Sequence, residues 1–218
     1  MGKVRSFNLS RGTRIGNYRV IENIGRGWEG EVYKVSEVPT ESIRALKLFR
    51  ADELDSVRHL VHFAWYYEQV RRSGSVPIYY HYGQWFLDDD NGCWYLVFEF
   101  IAGKPLVAVK PSEQLFFRLA RSMARVHELG YAVGDLSTLT NVIIRATDGE
   151  PIFVDCEPGK PDLPNTAFRS DCLEELPGVA KVLFGKSTPP KVATILRQLK
   201  DAGRIESITL GKLLDAEA

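Results

Sequence analysis

The sequence predicts an α+β fold in two lobes, a β-rich half carrying one helix and then a half that is mostly helical. Three observations lead there. From Tyr18 to Phe49, and again from Ile78 to Phe98, β-branched and aromatic residues come in short runs broken by Gly25, Gly27, Gly30, Pro39 and Gly92. Between the two stretches lies one amphipathic segment, with Leu54, Val57, Leu60, Val61 and Ala64 at helical spacing. Beyond Gly103 most of the periodicity is helical. A strand-rich half followed by a helix-rich half builds two layered lobes, and the cleft between such lobes is a preferred place for a pocket.

The elements follow in order. Strands are predicted at Tyr18–Ile24, Glu29–Val35 and Ile43–Leu48, and a helix over Asp52–Arg72 that Ser73-Gly74 closes. Strands at Ile78–Tyr82 and Cys93–Phe98 flank Leu87-Asp88-Asp89-Asp90-Asn91-Gly92, whose acids suit a solvated hairpin tip better than a metal site. Ile101-Ala102-Gly103 marks the break between lobes. A helix from Ser112, a suitable N-cap, runs to Leu129. Short strands are predicted at Tyr131–Val133, Asn141–Ile144 and Ile152–Val154, then helices at Asp171–Phe184, Lys191–Ala202 and from Thr209. The division is an N-terminal extension, residues 1–17, an N-lobe, 18–100, and a C-lobe, 101–218, together one catalytic domain.

Composition narrows the function classes. The 218 residues can bury a sizeable core, and 44% hydrophobic with 26% charged is ordinary for a globular protein. Twenty-eight basic residues balance 28 acidic ones, so no global field points to nucleic acid, and no nucleic-acid partner is expected. Lys3, Arg5, Arg11, Arg14 and Arg19 make the first 21 residues basic, which reads as a solvated, partly disordered end. Cys93, Cys156 and Cys172 show no metal or disulfide spacing, which fits a reducing, cytoplasmic setting. No signal peptide is expected, and no apolar run approaches the ~20 residues of a transmembrane segment.

Five pieces carry the chemistry: Gly25-x-Gly27-x-x-Gly30-x-Val32, Ala45-Leu46-Lys47, Glu68, Gly134-Asp135-Leu136-Ser137 with Asn141, and Asp155. Each alone is commonplace; three glycines suit any hairpin, and a strand-end aspartate suits any turn. Together they supply what a nucleoside triphosphate needs: bare N–H groups, a cation on the phosphates and oxygen ligands for magnesium. Lys47 lies in Ala-Leu-Lys-Leu-Phe, a buried strand where an unpaired ammonium is costly.

From Tyr18 onward this pattern resembles the protein-kinase superfamily. Ile24 to Tyr33 is similar to the glycine-rich loop of bacterial eukaryotic-like Ser/Thr kinases, and Ala45-Leu46-Lys47 to their strand-three lysine motif. Val97-Phe98-Glu99-Phe100-Ile101 resembles the hinge, Gly134-Asp135-Leu136-Ser137 the catalytic loop, and Val154-Asp155-Cys156-Glu157 the Asp-Phe-Gly motif. The resemblance implies ATP and Mg2+ as cofactors. It implies that Gly25, Gly27 and Gly30 lie over the phosphates, and that Lys47, oriented by Glu68 rather than by Glu53 of the same helix, neutralises them. Ile24, Val32, Ala45 and Ile143 would sandwich adenine, and the backbone of Glu99 and Ile101 would read its edge. Asp135 would position and deprotonate the acceptor hydroxyl, while Asn141 and Asp155 hold the metal. Asp171 is expected to tie the catalytic loop to a large-lobe helix, and His127 to be structural, with no partner that suggests catalysis.

The chain also departs from the family. Val133-Gly134 replaces the common His-Arg, and Ser137 the catalytic-loop lysine. The step from Asp135 to Asn141 is 6 (141 − 135), one longer than usual, and only 16 residues (171 − 155) separate Asp155 from Asp171, with no Ala-Pro-Glu. A reduced C-lobe follows, without control by loop phosphorylation, and activity that is constitutive or set by an activating protein partner. Three functions remain open: a minimal Ser/Thr protein kinase, a kinase of a small-molecule hydroxyl acceptor such as an antibiotic, sugar or lipopolysaccharide, and a nucleotide-binding pseudokinase scaffold.

Overall fold

Alternating apolar and polar residues in the N-terminal half build one six-stranded antiparallel sheet in the computed structural model, which describes residues 6–50, 57–88, 91–136, 139–156, 171–202 and 210–216. Its strands are β1 (Arg14–Ile15), β2 (Tyr18–Arg26), β3 (Gly30–Glu37), β4 (Ile43–Phe49), β5 (Tyr79–Asp88) and β6 (Asn91–Glu99), in the spatial order β1-β2-β3-β4-β6-β5. Neighbours along a strand point to opposite faces, so register decides what meets. Tyr33, Val35, Leu46, Leu48, Tyr95 and Val97 turn to one face and close a buried cluster with Tyr18 and Val20. Val32 stands opposite Lys47, Lys47 opposite Leu96, and Ala45 opposite Phe98, which puts these five on the other face. Helix α1 (Val57–Val70) packs there, with Phe63 against Phe49 and the Tyr67 ring 4.7 Å from that of Phe98.

The N-terminal segment departs from expectation. Residues 6–17 are not a solvated arm: Phe7 and Ile15 enter the buried cluster while Arg11, Arg14 and Arg19 stay exposed. The strap is held from below by Glu31, which is fully buried. Its carboxylate accepts from the Ser6 hydroxyl at 2.6 Å, the Phe7 amide at 3.0 Å and the Tyr33 hydroxyl. Burial alone would push the Glu31 carboxyl up; the bonds from Ser6, Tyr33 and Phe7, with the Arg26 charge, outweigh it and hold the group below its ordinary value.

The second half forms a separate unit. Strands β7 (Gly103–Pro105), β8 (Val142–Arg145) and β9 (Pro151–Phe153) make a three-stranded antiparallel sheet in that order. Around it lie α2 (Glu113–Glu128), α3 (Leu176–Phe184), α4 (Pro190–Ala202) and α5 (Leu210–Ala216). Helix α2 starts as read, with the Ser112 hydroxyl accepting from the Leu115 amide at 3.1 Å. Its buried stripe runs through Leu115, Phe116, Leu119, Met123 and Val126. One π-helical turn, Asp171–Glu175, precedes α3, where Pro177 has no N–H to return to the preceding turn. The first unit comprises the chain to Glu68 with Pro77–Ile101, and the second Gln69–Val76 with the chain from Ala102 on. Ser75 explains why the short segment joins the second unit: its carbonyl accepts from the Phe153 amide at 2.8 Å and its hydroxyl from Arg125 at 3.2 Å.

Two further expectations are corrected. Tyr131–Val133 is not a strand, because the Val133 amide donates to the Asp171 carboxylate rather than to a neighbouring strand. Strand β5 runs well past Tyr82, through Gly83, where any side chain would strike the Tyr95 hydroxyl. Ser137, Glu157 and the segment read as a shortened activation loop, 157–170, lie outside the described residues.

Candidate functional site

In the first unit the β2–β3 turn carries the glycine motif. The Gly27 amide donates to the Gly30 carbonyl at 3.0 Å, closing the tip. The glycines have separate reasons. A side chain on Gly30 would run into the Leu48 carbonyl, so Gly30 lets β3 approach β4, whereas nothing lies within 4 Å of where a Gly27 Cβ would stand. That open space leaves room for a group to approach the turn without meeting a side chain. Val32 and Ala45 share a sheet face with Lys47; Ile24 precedes the turn and is exposed.

Lys47 is buried, and its Nζ lies 2.6 Å from Glu29 Oε2 and 5.1 Å from the centre of the Phe49 ring. The sequence points to Glu68 as the residue that orients Lys47 and does not single out Glu29, which sits inside the glycine motif and offers no periodic signal. Glu68 follows Tyr67 on α1; burial, then Tyr82 and Glu68, push the Tyr79 phenol up to about 12. Glu99 closes on Ile78, its amide donating to the Ile78 carbonyl at 2.8 Å and its carboxylate accepting from the Ile78 amide at 3.2 Å. Ile101 ends the first unit, while Ile143 lies in the second, on β8 opposite Ile152.

In the second unit Asn141 and Asp155 flank the β8–β9 pair, and Asp135 bonds to Asn141. Asn141 precedes β8 and Asp155 follows β9; the Val154 amide donates to the Asn141 carbonyl at 2.9 Å, which fixes the two ends together. Asn141 Nδ2 donates to both the backbone oxygen and Oδ2 of Asp135, each at 2.9 Å. Its amide nitrogen is thus committed to Asp135. A 3₁₀ turn, Leu139–Asn141, leads into β8, and the backbone is left-handed at Gly134 and Asp135, with φ of 64° and 41°.

Behind this loop sits Asp171, 1% exposed. Its carboxylate accepts from the Val133 amide at 2.6 Å and the Gly134 amide at 2.9 Å, the architectural part expected of it. His127 joins the same cluster: Nε2 lies 2.8 Å from Asp171 Oδ2, in keeping with a structural part. Glu175 also faces the loop. Burial, aided by the charges of Asp171, Asp135 and Glu174, raises its carboxyl above the ordinary range despite a bond from the Leu136 amide. Among the described residues no three His, Cys, Asp or Glu side chains form a metal ligand set, and no helix is long and apolar enough to cross a membrane. The hard oxygens of Asp155 and Asn141 nonetheless suit magnesium held largely by phosphates and water.

No family model and no curated protein matches the sequence. Solved structures do. The PknI kinase domain of Mycobacterium tuberculosis is 17% identical with a TM-score of 0.67, covering 96% of this chain and 98% of its own. The apo form of PpkA-294 is 17% identical at 0.63, covering 98% and 100%. Rad53 1–466 in complex with AMP-PNP is 15% identical at 0.63, covering 91% of this chain and 60% of its own. These likenesses span nearly the whole chain, and the protein has the protein-kinase superfamily fold.

Proposed function

We propose that the chain is an ATP- and magnesium-dependent phosphotransferase, a minimal Ser/Thr protein kinase that moves the γ-phosphate of ATP to a protein hydroxyl. The observation that carries this reading is the hydrogen-bonded run Asp135–Asn141–Val154, which sets a candidate base and two candidate metal ligands at one end of the β8–β9 pair. The buried cation of Lys47 would supply a phosphate-binding group in the other unit, where the open space at Gly27 leaves room beside the turn. The AMP-PNP bound in the Rad53 structure supports ATP as the nucleotide.

Bound Mg-ATP would supply the transferable phosphoryl group and neutralise its charge. Lys47 would hold the phosphates, and Val32, Ala45, Ile24 and Ile143 would supply apolar surface for adenine. Asp135 would orient the acceptor hydroxyl and take its proton, its Oδ2 held by Asn141. Asn141 and Asp155 would hold the metal through oxygen. We read 18–100 and 101–218 as the lobes of one catalytic domain, working in the cytoplasm with an activating protein partner.

The test is transfer of label from γ-labelled ATP, with and without a generic protein substrate. Label on protein, abolished by Asp135→Ala, is the expected result. Label on a small hydroxylated metabolite would move the reading to a small-molecule kinase, and label nowhere to a nucleotide-binding scaffold.

A further inference from the structure

The tip of the glycine turn leans on one residue outside the motif. Arg50, the first residue past β4, donates from Nη1 to the carbonyls of both Gly27, at 2.6 Å, and Trp28. Its own amide donates to the Glu29 carbonyl at 2.9 Å. In a trans peptide the N–H points opposite to the carbonyl of the same plane, and the described peptides are all trans. The carbonyls of Gly27 and Trp28 face Arg50, so the amides of Trp28 and Glu29, which complete those two planes, face away from it. Neither amide has a hydrogen-bond partner among the described residues, whereas the Gly27 amide is closed on the Gly30 carbonyl at 3.0 Å. Two neighbouring donors thus stand open, next in the chain to a glycine around which no side chain fills the space.

We infer that Arg50 is a positioning residue for phosphate: it holds two carbonyls of the turn back and so presents the Trp28 and Glu29 amides to the phosphate oxygens of a nucleotide. The inference rests on the proposed nucleotide site and adds to it a residue that acts through the turn rather than on the nucleotide. Released from Nη1, either peptide plane can rotate and offer its carbonyl where the amide stood. A carbonyl oxygen repels the phosphate that an N–H attracts. The guanidinium charge on the carbonyl side also polarises both planes, which strengthens their N–H groups as donors. Nucleoside phosphates gain from this arrangement, and a nucleoside without phosphates does not.

Titration calorimetry of the whole chain tests this with Mg-ATP, Mg-ADP and adenosine. Arg50→Met keeps an unbranched apolar stem and removes both side-chain bonds, while the backbone bond to Glu29 needs no side chain. Affinity for Mg-ATP and Mg-ADP should fall about tenfold, the share of one hydrogen bond to a charged group, at low and high salt alike. Affinity for adenosine should stay as in the wild type. Because one nitrogen makes both bonds, Arg50→Lys should recover part of the loss. Amide exchange of the wild type, followed by NMR, needs no variant: Mg-ADP should slow the Trp28 and Glu29 amides, and adenosine should not. If Arg50→Met binds Mg-ATP as the wild type does, or if adenosine loses as much, the clamp is wrong and the nucleotide site stands. The same holds if the loss vanishes in high salt, as that of a distant charge must, or if bound Mg-ADP leaves the two amides unslowed. If the wild type binds no nucleotide, the phosphotransferase reading fails and takes the clamp with it.

Discussion

Asp171→Asn should destabilise the Val133–Gly134 segment in a way whose size the structure fixes. The carboxylate is 1% exposed and serves the Val133 amide, the Gly134 amide and His127. An asparagine side chain keeps one oxygen, so one of the two buried N–H groups loses its acceptor and meets an NH2 group instead. A buried donor left without a partner costs about 1–3 kcal/mol, and the weakened contact with His127 adds to this, giving roughly 2–4 kcal/mol. Set against the ~5–15 kcal/mol that holds a domain together, that is severe. Urea unfolding measures it. All four tryptophans, Trp28, Trp65, Trp85 and Trp94, lie in the first unit, whereas α2 to α5 lie in the second. The far-ultraviolet circular dichroism transition should therefore move to lower urea by the full amount. A change below about 0.5 kcal/mol, the usual range for a surface substitution, would refute the account of this hub.

Three other expectations follow from the same geometry. Asp155→Ala should weaken magnesium-dependent ATP binding and turnover together, whereas Asp135→Ala should cut turnover with binding nearly intact; equal loss of affinity in both would separate the residues from these roles. Asn141→Ala removes both bonds to Asp135, so steady-state assays should show activity about 10–100-fold lower. Glu31→Gln tests the N-terminal strap by pH. Because the folded carboxyl titrates below the ordinary 4.5, its contribution is complete above that value and is lost as pH falls through the folded value. Wild-type melting temperature should thus decline on acidification below 4.5, while the variant is less stable at neutral pH and declines less; parallel curves would show that Glu31 does not anchor the strap.

Local signals were legible and tertiary ones were not. Ser112 declares the start of α2 because a cap acts within one turn, and the alternation of β3 and β4 declares the sheet that places Val32 and Ala45 beside Lys47. Asn141 and Asp155 could be placed together because each ends a strand. What escaped was carried by contacts distant in sequence. His127 meets Asp171 across 44 residues, and Glu31 meets Ser6 across 25, so no periodicity announces either pair. Phe7, Leu9 and Ile15 did signal a packed strap, but five basic residues around them drew the reading toward solvent. Glu29 was hidden by the motif it belongs to, whose glycines drew the attention.

The central claim is that these residues bind Mg-ATP, and the melting temperature of the purified chain with and without saturating Mg-ATP tests it most directly. A ligand selective for the folded state at about 100 times its dissociation constant adds about 2.7 kcal/mol. For a chain of this length that corresponds to a rise of roughly 5–10 °C. Lys47→Ala should lose most of the rise while keeping the melting behaviour of a folded protein. A wild-type melting temperature unmoved by saturating Mg-ATP would contradict the account.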